Sequence, residues 1–387
     1  MPASSSSPIS PVIDQLLDVG SSLGDDPPSV LTVLGTLADT RKRRGIRHQL
    51  GAVLGLAVCA VLAGARSFVA IAEWAADADH ATLAELGVRD AVPCETTFRR
   101  VLQSLDAQAL DDSLGVWSLA RTAPATELRR IIAIDGKTLR GSAQGGVPGR
   151  HLLAAFDHVH GVVLGQVDVE AKTNEIPMFS TLLDAIPLVG AVVTADAMHA
   201  QRTHAEYLHG RGAHFVLTVK RNQPKLYAQL ATLPWRDVPV GDIARDRGHG
   251  RVETRQLKLT AVSVGLLFPH AAQAIQIRRR RRTLAGKWST ETVYAVTSLT
   301  PREAGPQQLA DIVRGHWKIE DQLHWVRDVT FDEDRSQIRT HNGPRVMASL
   351  RNLTISVLRL TGATNIAAGL RHHARRPHRP LQTIMAC

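Results

Sequence analysis

The chain has 387 residues, a hydrophobic fraction of 44% and a formal net charge of +10. This length is enough for two or three packed domains, and the positive charge favours a polyanionic partner, with nucleic acid as the first candidate. A basic protein that binds no polyanion is the alternative. Three distant cysteines, Cys59, Cys94 and Cys387, exclude a disulfide framework and a zinc-finger spacing, and they favour a reducing cytoplasm.

The N-terminal segment, residues 1–30, is rich in serine, proline and aspartate, and this composition predicts a disordered N-terminus. Its opening letters, MPASSSSPIS, lack the basic and apolar regions of a signal peptide. The longest apolar run, residues 50–65, contains glycines and is short for a bilayer. We therefore expect a buried helix there and no membrane span.

The next region, residues 31–120, has a helical pattern and predicts a small all-α domain. Its last segment, PCETTFRRVLQSLD, places an apolar stripe from Phe98 to Leu105 at helical spacing, with Arg99 and Arg100 pointing elsewhere. Several short helices that end in an arginine-bearing one are typical of a helix-turn-helix DNA reader. A plain helical bundle fits this pattern equally well.

A second domain, residues 128–370, begins with strand patterns. RRIIAID, HLLAAFDHV and VVLGQVDVE predict three strands, which are followed by a helix (EIPMFSTLLDAI), a strand (AVVTAD), a helix (AQRTHAEYLHGRG) and a strand (HFVLTVK). The expected fold is therefore α/β with a mixed sheet.

The rest of this domain predicts a β-rich insertion at residues 222–300, lying outside the sheet, and then one long helix from Gln307 to Arg327. The insertion contains a run of five arginines. Apolar residues recur along the helix at alternating steps of three and four, so they form a buried stripe. The last residues, 371–387, predict a basic, mobile tail.

The stretch IIAIDGKTLRGS, residues 131–142, looks at first like the end of a nucleotide-binding P-loop. That loop needs a glycine at position 131, which is isoleucine, so the P-loop is excluded. The remaining pattern is a buried strand with Asp135 at its carboxyl end, where open α/β sheets place ligand sites. An ordinary Asp-Gly turn is the alternative.

A second predicted strand also ends in an acid, Asp196. In this order of elements the first and fourth strands can lie side by side, which would bring Asp135 and Asp196 together. Two carboxylates that close repel each other, and a divalent cation resolves the repulsion. Oxygen ligands without a cysteine cluster favour Mg²⁺ or Mn²⁺ over Zn²⁺.

A third carboxylate candidate is Glu320 in GHWKIEDQLHW, at the edge of the buried stripe of the long helix. His316, Glu320 and His324 are spaced by four and share one face. In the alternative interpretation, His316 is a satisfied core histidine and Glu320 pairs with a nearby arginine.

These residues lie in motifs that resemble the insertion-sequence DDE transposases, in particular the H-repeat-associated subgroup with a ribonuclease H-like core. The N-terminal region is similar through DTRKRRGIRHQLGAVLGLAVCAVLAGARSFVAIAEWA and CETTFRRVL. The core is similar through AIDGKTLRGS, VTADAMHAQ, FVLTVKRNQP, GHGRVETR and the long, specific HWKIEDQLHWVRDVTFDED. The resemblance covers most of the chain.

The resemblance implies that Asp135, Asp196 and Glu320 are the catalytic and metal-binding triad. It implies two Mg²⁺ or Mn²⁺ ions and metal-dependent cleavage and strand transfer at the ends of an insertion sequence. The implied partners are the terminal inverted repeats, target DNA and a second subunit on DNA. The implied location is the bacterial cytoplasm, at the nucleoid when the protein is bound.

The sequence departs from the wider superfamily around the glutamate, where Val313, His316 and Arg327 replace tyrosine, arginine and lysine. This puts the usual phosphate contacts in doubt. The candidates for DNA contact are Lys137, Arg140, Lys220, Arg251, Arg278, Arg279, Arg280, Arg281, Arg282, Arg314, His316, His324 and Arg327. Two rival functions remain, namely a metal-dependent nuclease without strand transfer and an inactive, domesticated DNA-binding protein.

Overall fold

A computed structural model describes residues 27–387 except 43, 45, 123–128, 171–172, 249, 263–264 and 284–285. Nearly all of the segment expected to be disordered therefore lies outside the described residues. The chain divides into two compact units. The first comprises residues 1–125, 136–186 and 320–387, and the second comprises residues 126–135 and 187–319.

The first unit is built around buried helices. Asp106 caps one of them by accepting hydrogen bonds from the backbone N–H groups of Gln108 and Ala109 at 3.0 and 3.1 Å. The helices are α1 (Val30–Gly35), α2 (Leu50–Leu62), α3 (Phe68–Asp77), α4 (His80–Glu85), α5 (Glu95–Ser104), α6 (Ala107–Arg121), α7 (Met178–Asp184), α11 (Gly343–Leu360), α12 (Ile366–Ala374) and α13 (His378–Ala386).

Two antiparallel strands, β2 (His151–Asp157) and β3 (Val162–Val169), add a sheet surface to this unit. Helices α6 and α11 pack on β3. Gly115 of α6 is required at this contact, because a Cβ there would collide with the carbonyl oxygen of Leu164. The apolar run that predicted a buried helix is α2, which is buried along almost its whole length.

The second unit is built around a mixed β-sheet. Strand β1 (Ile131–Thr138) contributes its first five residues to this unit and its last three to the first unit. It pairs in parallel with β4 (Val192–Ala195), and β4 pairs in parallel with β5 (His214–Val219). Helix α8 (Arg202–Gly210) connects β4 and β5. The sheet has nine strands in the order β3-β2-β1-β4-β5-β9-β8-β7-β6, where β6 (Asp242–Gly248), β7 (Arg251–Ala261), β8 (Gln273–Thr283) and β9 (Ser289–Thr297) belong to the predicted insertion.

The predicted insertion is mainly β, but its placement outside the sheet is wrong. After helix α9 (Pro224–Thr232), its last strand pairs in antiparallel fashion with β5, with Val216 opposite Thr297. The insertion therefore extends the sheet, because the free edge of β5 offers its backbone groups to a further strand. Its strands are β6 (Asp242–Gly248), β7 (Arg251–Ala261), β8 (Gln273–Thr283) and β9 (Ser289–Thr297).

Two further predictions are corrected. Helix α10 (Pro306–His316) ends eleven residues earlier than expected, and the chain continues as two π-helical segments, Ile319–His324 and Val326–Thr330. The basic C-terminal residues form α13, which buries Leu381 and Ile384 rather than leaving a mobile tail. The mixed α/β class and the order of three strands, helix, strand, helix, strand are confirmed.

Candidate active site

Asp135 and Asp196 follow paired positions of two parallel strands. Ile134 of β1 lies opposite Ala195 of β4, so each aspartate comes one residue after a paired position. Asp196 follows the end of β4 as expected, whereas β1 continues for three residues beyond Asp135, to Thr138. The prediction that the first and fourth strands are neighbours is confirmed. The strand residues before both acids are fully buried, which fixes the backbone that carries the two carboxylates.

Asp196 also begins a 3₁₀ turn, Ala197–His199. Its Oδ1 accepts a hydrogen bond from the backbone N–H of Met198 at 2.9 Å. This contact orients the carboxylate and satisfies one donor at the start of the turn.

His316, the last residue of α10, lies beside this pair of acids. Its Nδ1 is 3.0 Å from Oγ1 of Thr194 on β4. Burial lowers the pKa of His316, and the nearby carboxylates of Asp135 and Asp196 oppose that shift without overcoming it. The lowered pKa of His316 favours its neutral form, and the hydrogen bond ties the ring to the strand that precedes Asp196.

Glu320 and His324 form a pair in the first unit, on the first π-helical segment. The Oε2 atom of Glu320 lies 3.0 Å from Nδ1 of His324. The side chain of His324 is 3% exposed and that of Glu320 is 56% exposed. A buried imidazole thus holds an open carboxylate, which is the geometry of a ligand and its orienting partner.

The second π-helical segment is anchored by a buried ion cluster. Arg327 donates through Nε to Glu333 at 2.9 Å, and Arg351 donates through Nη1 to the other carboxylate oxygen at 2.8 Å. All three side chains are at most 2% exposed. Burial alone would raise the pKa of Glu333, but the guanidiniums of Arg327 and Arg351 outweigh it and lower the pKa to about 2.

Lys137, two residues after Asp135, forms a second anchor to the same segment. Its Nζ lies 2.6 Å from both carboxylate oxygens of Asp328, and its side chain is only 9% exposed. At Gly136, between Asp135 and Lys137, a Cβ would lie 2.6 Å from Nε2 of His151 and closer still to Oε1 of Glu175, so these side chains would have to shift. His151 and Glu175 are themselves joined at 2.7 Å. Sequence reasoning named Lys137 only as a phosphate contact, and it missed Asp328, His151 and Glu175.

The candidates for DNA contact fall into two groups. Lys137, Arg279 and Arg327 have carboxylate partners in buried or partly buried positions. Arg314 is partly exposed and bound to Asp311, and the exposed Arg140 lies 3.7 Å from Asp334. His316 and His324 make the contacts given above. Exposed side chains on the sheet or directly after a strand are Lys220, Arg251, Arg278, Arg280, Arg281 and Arg282.

In the described part of the chain, we found no helix with the length and apolar character needed to cross a membrane.

Comparison with known proteins decides the family. The family described as "Transposase DDE domain" matches residues 126–357, and the family described as "DDE_Tnp_1-associated" matches residues 31–118. The chain belongs to the DDE transposases. The first match includes all three acids, Asp135, Asp196 and Glu320.

Two relatives of this transposase from Escherichia coli align along most of their length. "Putative transposase YncI" of strain O157:H7 is 30% identical over 86% of this chain and 87% of its own. "H repeat-associated putative transposase YhhI" of strain K12 is 26% identical over 89% of this chain and 93% of its own. The predicted resemblance to the H-repeat-associated subgroup is confirmed.

A solved structure of piggyBac transposase in a synaptic complex with hairpin DNA aligns with 96% of this chain and 81% of its own, at 12% identity and a TM-score of 0.42. A likeness at this level supports no further argument.

Proposed function

We propose that this transposase cleaves DNA at the ends of an insertion sequence and joins the cut strands to target DNA, with Asp135, Asp196 and Glu320 as its catalytic carboxylates. The observation that carries the proposal is that Asp135 and Asp196 each come directly after a paired position of two neighbouring parallel strands. Glu320 is the third member by its position in the matched family domain and by its exposed carboxylate.

The donor set suits hard divalent cations. Carboxylate oxygens are the ligands that Mg²⁺ and Mn²⁺ prefer, and the side chains of all three acids supply such oxygens. We infer that the three acids hold two such ions. When bound, the ions lower the pKa of an attacking water or 3′-hydroxyl and offset the charge on the leaving oxygen.

The other side chains orient these carboxylates. His324 holds Glu320 through a hydrogen bond, and the Arg327–Glu333–Arg351 cluster fixes the second π-helical segment, which follows directly in the chain. The pair Lys137–Asp328 connects this segment to the end of β1. No covalent enzyme intermediate is required, because water and a DNA hydroxyl are sufficient nucleophiles.

The partners follow from charge and from the reaction. The net charge of +10 and the exposed Arg278, Arg280 and Arg282 of β8 favour DNA, both as terminal repeats and as target. The two ends of the element must both be cut and joined to the target DNA, so we propose that two copies associate on DNA. The helices of residues 31–120 are the candidate reader of the terminal repeat, and the cytoplasm is the proposed location.

The test uses DNA that flanks this gene, incubated with the protein and Mg²⁺. We expect cuts at the element ends and, with added target, joined products. Glu320→Gln should lose cutting while it retains DNA binding, and Glu303→Gln, which changes a partly exposed acid of the second unit, should cut normally. Degradation without regard to sequence would favour the nuclease, and binding without any cutting would favour the domesticated protein.

A further inference from the structure

The four strands of the insertion pair without a register shift. Thr254 of β7 lies opposite both Arg245 of β6 and Arg280 of β8, and Val252 lies opposite both Arg247 and Arg282. In an antiparallel sheet, opposed residues point to the same face and successive residues alternate between faces. The face of each side chain can therefore be assigned along the whole insertion.

One face of the distal half of these strands carries only positive charge. Its five arginines are all exposed, and the residues between them on that face are neutral, including Val252, Thr254, Thr290 and Thr292. Within the described residues of β6–β9, no aspartate or glutamate points to this side. We call it the arginine face, and it consists of Arg245, Arg247, Arg278, Arg280 and Arg282.

The opposite face is balanced. Buried Glu253 binds Arg255 at 2.5 Å and Arg279 at 2.6 Å, so these guanidiniums already have a counter-charge. Four arginines and four acids share this side, namely Arg251, Arg255, Arg279, Arg281, Asp242, Asp246, Glu253 and Glu291. The run from Arg278 to Arg282 is thus split by the alternation of the strand and is not a single surface.

The same division continues toward the base of the sheet. On the side of the arginine face, Tyr294 of β9 packs against Tyr227 of α9 and against Trp235, with ring centroids 5.3 and 6.1 Å apart. On the other side, Leu257 and Ile275 belong to the apolar cluster with α10. Each face is therefore closed at its base by a different helix, while the arginines lie on the open part.

An aromatic ring organises two of the five arginines. The guanidinium carbons of Arg280 and Arg282 each lie 5.1 Å from the ring centroid of Trp288, which is 43% exposed. Cation–π contacts hold both guanidiniums over one ring, so less side-chain freedom is lost when they contact a ligand. Two ordered cations two residues apart on a strand suit a ligand with regularly repeated negative charges.

We propose that the arginine face binds the phosphate backbone of duplex DNA, whereas the opposite face of the same strands is structural. Five like charges on one exposed face repel one another, and a polyanion removes the repulsion and releases its own counterions. Phosphate contacts of this kind position a protein on DNA without reading sequence. The inference rests on the proposed function and specifies which side of the insertion contacts the substrate.

The test compares two double variants that each lose two positive charges. One loses both from β8, and the other loses one from β7 and one from β8. Arg280→Gln with Arg282→Gln removes two charges from the arginine face, and Arg251→Gln with Arg281→Gln removes two exposed charges from the other face. Binding to a labelled mixed-sequence duplex is measured by fluorescence anisotropy in EDTA, between ~50 and ~200 mM salt. Far-UV circular dichroism checks that both proteins are folded.

We expect the first variant to reduce the slope of log K against log salt by about 1.8, from ~0.9 per phosphate contact, and the second to leave it unchanged. Arg245→Gln with Arg247→Gln should repeat the loss without touching Trp288. Equal effects of the two matched variants, or no effect of either, would overturn the proposal. If the wild-type protein still bound the duplex in that case, DNA would stand as the partner and only the assignment of the face would fail. Failure of the wild-type protein to bind duplex would overturn the proposed function as well. Because the assay contains no metal, a protein that binds but does not cut still tests the arginine face.

Discussion

The buried cluster around Glu333 allows a quantitative prediction. Glu333→Gln keeps the shape of the side chain and removes the negative charge between Arg327 and Arg351, which are both almost fully buried. Two guanidiniums would then share a low-dielectric site without a counter-charge. Breaking a buried ion pair in this way typically costs about 3–5 kcal/mol of unfolding free energy.

The lowered pKa of Glu333 gives a second value for this contribution to the free energy of unfolding, and it defines the pH range over which the contribution is lost. The pKa falls from 4.5 in the unfolded chain to about 2 in the folded protein. A depressed carboxyl pKa contributes stability that is present above the unfolded value and is lost as pH falls through the folded value. A difference of that size corresponds to about 3 kcal/mol, lost progressively between about pH 4.5 and pH 2.

The measurement is urea unfolding of the wild-type and Glu333→Gln proteins, followed by circular dichroism in a pH series. The stability difference should be about 3 kcal/mol at pH 7 and should shrink as the pH falls below about 4.5. Glu95→Gln is the control, because it breaks an exposed pair with Arg99 that should be worth under about 1 kcal/mol. A difference that is small at pH 7, or that does not change with pH, would refute this account of the cluster.

Three further predictions concern the site. Asp135→Asn or Asp196→Asn should abolish DNA cleavage. Duplex binding should stay within about twofold in an anisotropy assay, since affinity comes mainly from cationic side chains. Cleavage at a normal rate would remove that residue from the triad. His324→Gln should lower the cleavage rate by about 10–100-fold without loss of secondary structure, and full activity would mean that His324 only fills space. Gly136→Ala should lower the unfolding free energy by about 1–3 kcal/mol through its collision with Glu175 and His151, whereas Gly35→Ala, with open space around it, should not destabilise.

The arrangement of Asp135 and Asp196 could be predicted because its signals are local. Each acid follows a short run of buried strand residues, and the order of elements limits which strands can be neighbours. The family of the chain could also be predicted, because the motif around Glu320 is long and specific. These features depend on residues close together in sequence.

The supporting contacts could not be predicted, because their partners are distant in sequence. Glu253 and Arg279 are 26 residues apart and meet only through the register of β7 and β8, which hairpin lengths do not reveal. The π-helical segments gave no signal either. Residues 317–330 contain no glycine or proline, and the apolar stripe that predicts an α-helix is present across them.

The residues expected to contact phosphate near Glu320 are engaged in contacts within the protein, so the DNA-binding charge must come from another surface. The superfamily positions near the glutamate would supply an arginine and a lysine, but here His316 is bonded to Thr194 and Arg327 is enclosed with Glu333. A buried guanidinium cannot exchange its carboxylate partner for a DNA phosphate without losing the contact that fixes its own helical segment. The positive charge that meets DNA must then come from exposed side chains without balancing acids. The arginine face meets that requirement, so in this transposase the substrate-holding charge lies on the inserted strands while the positions around Glu320 hold the carboxylate in place.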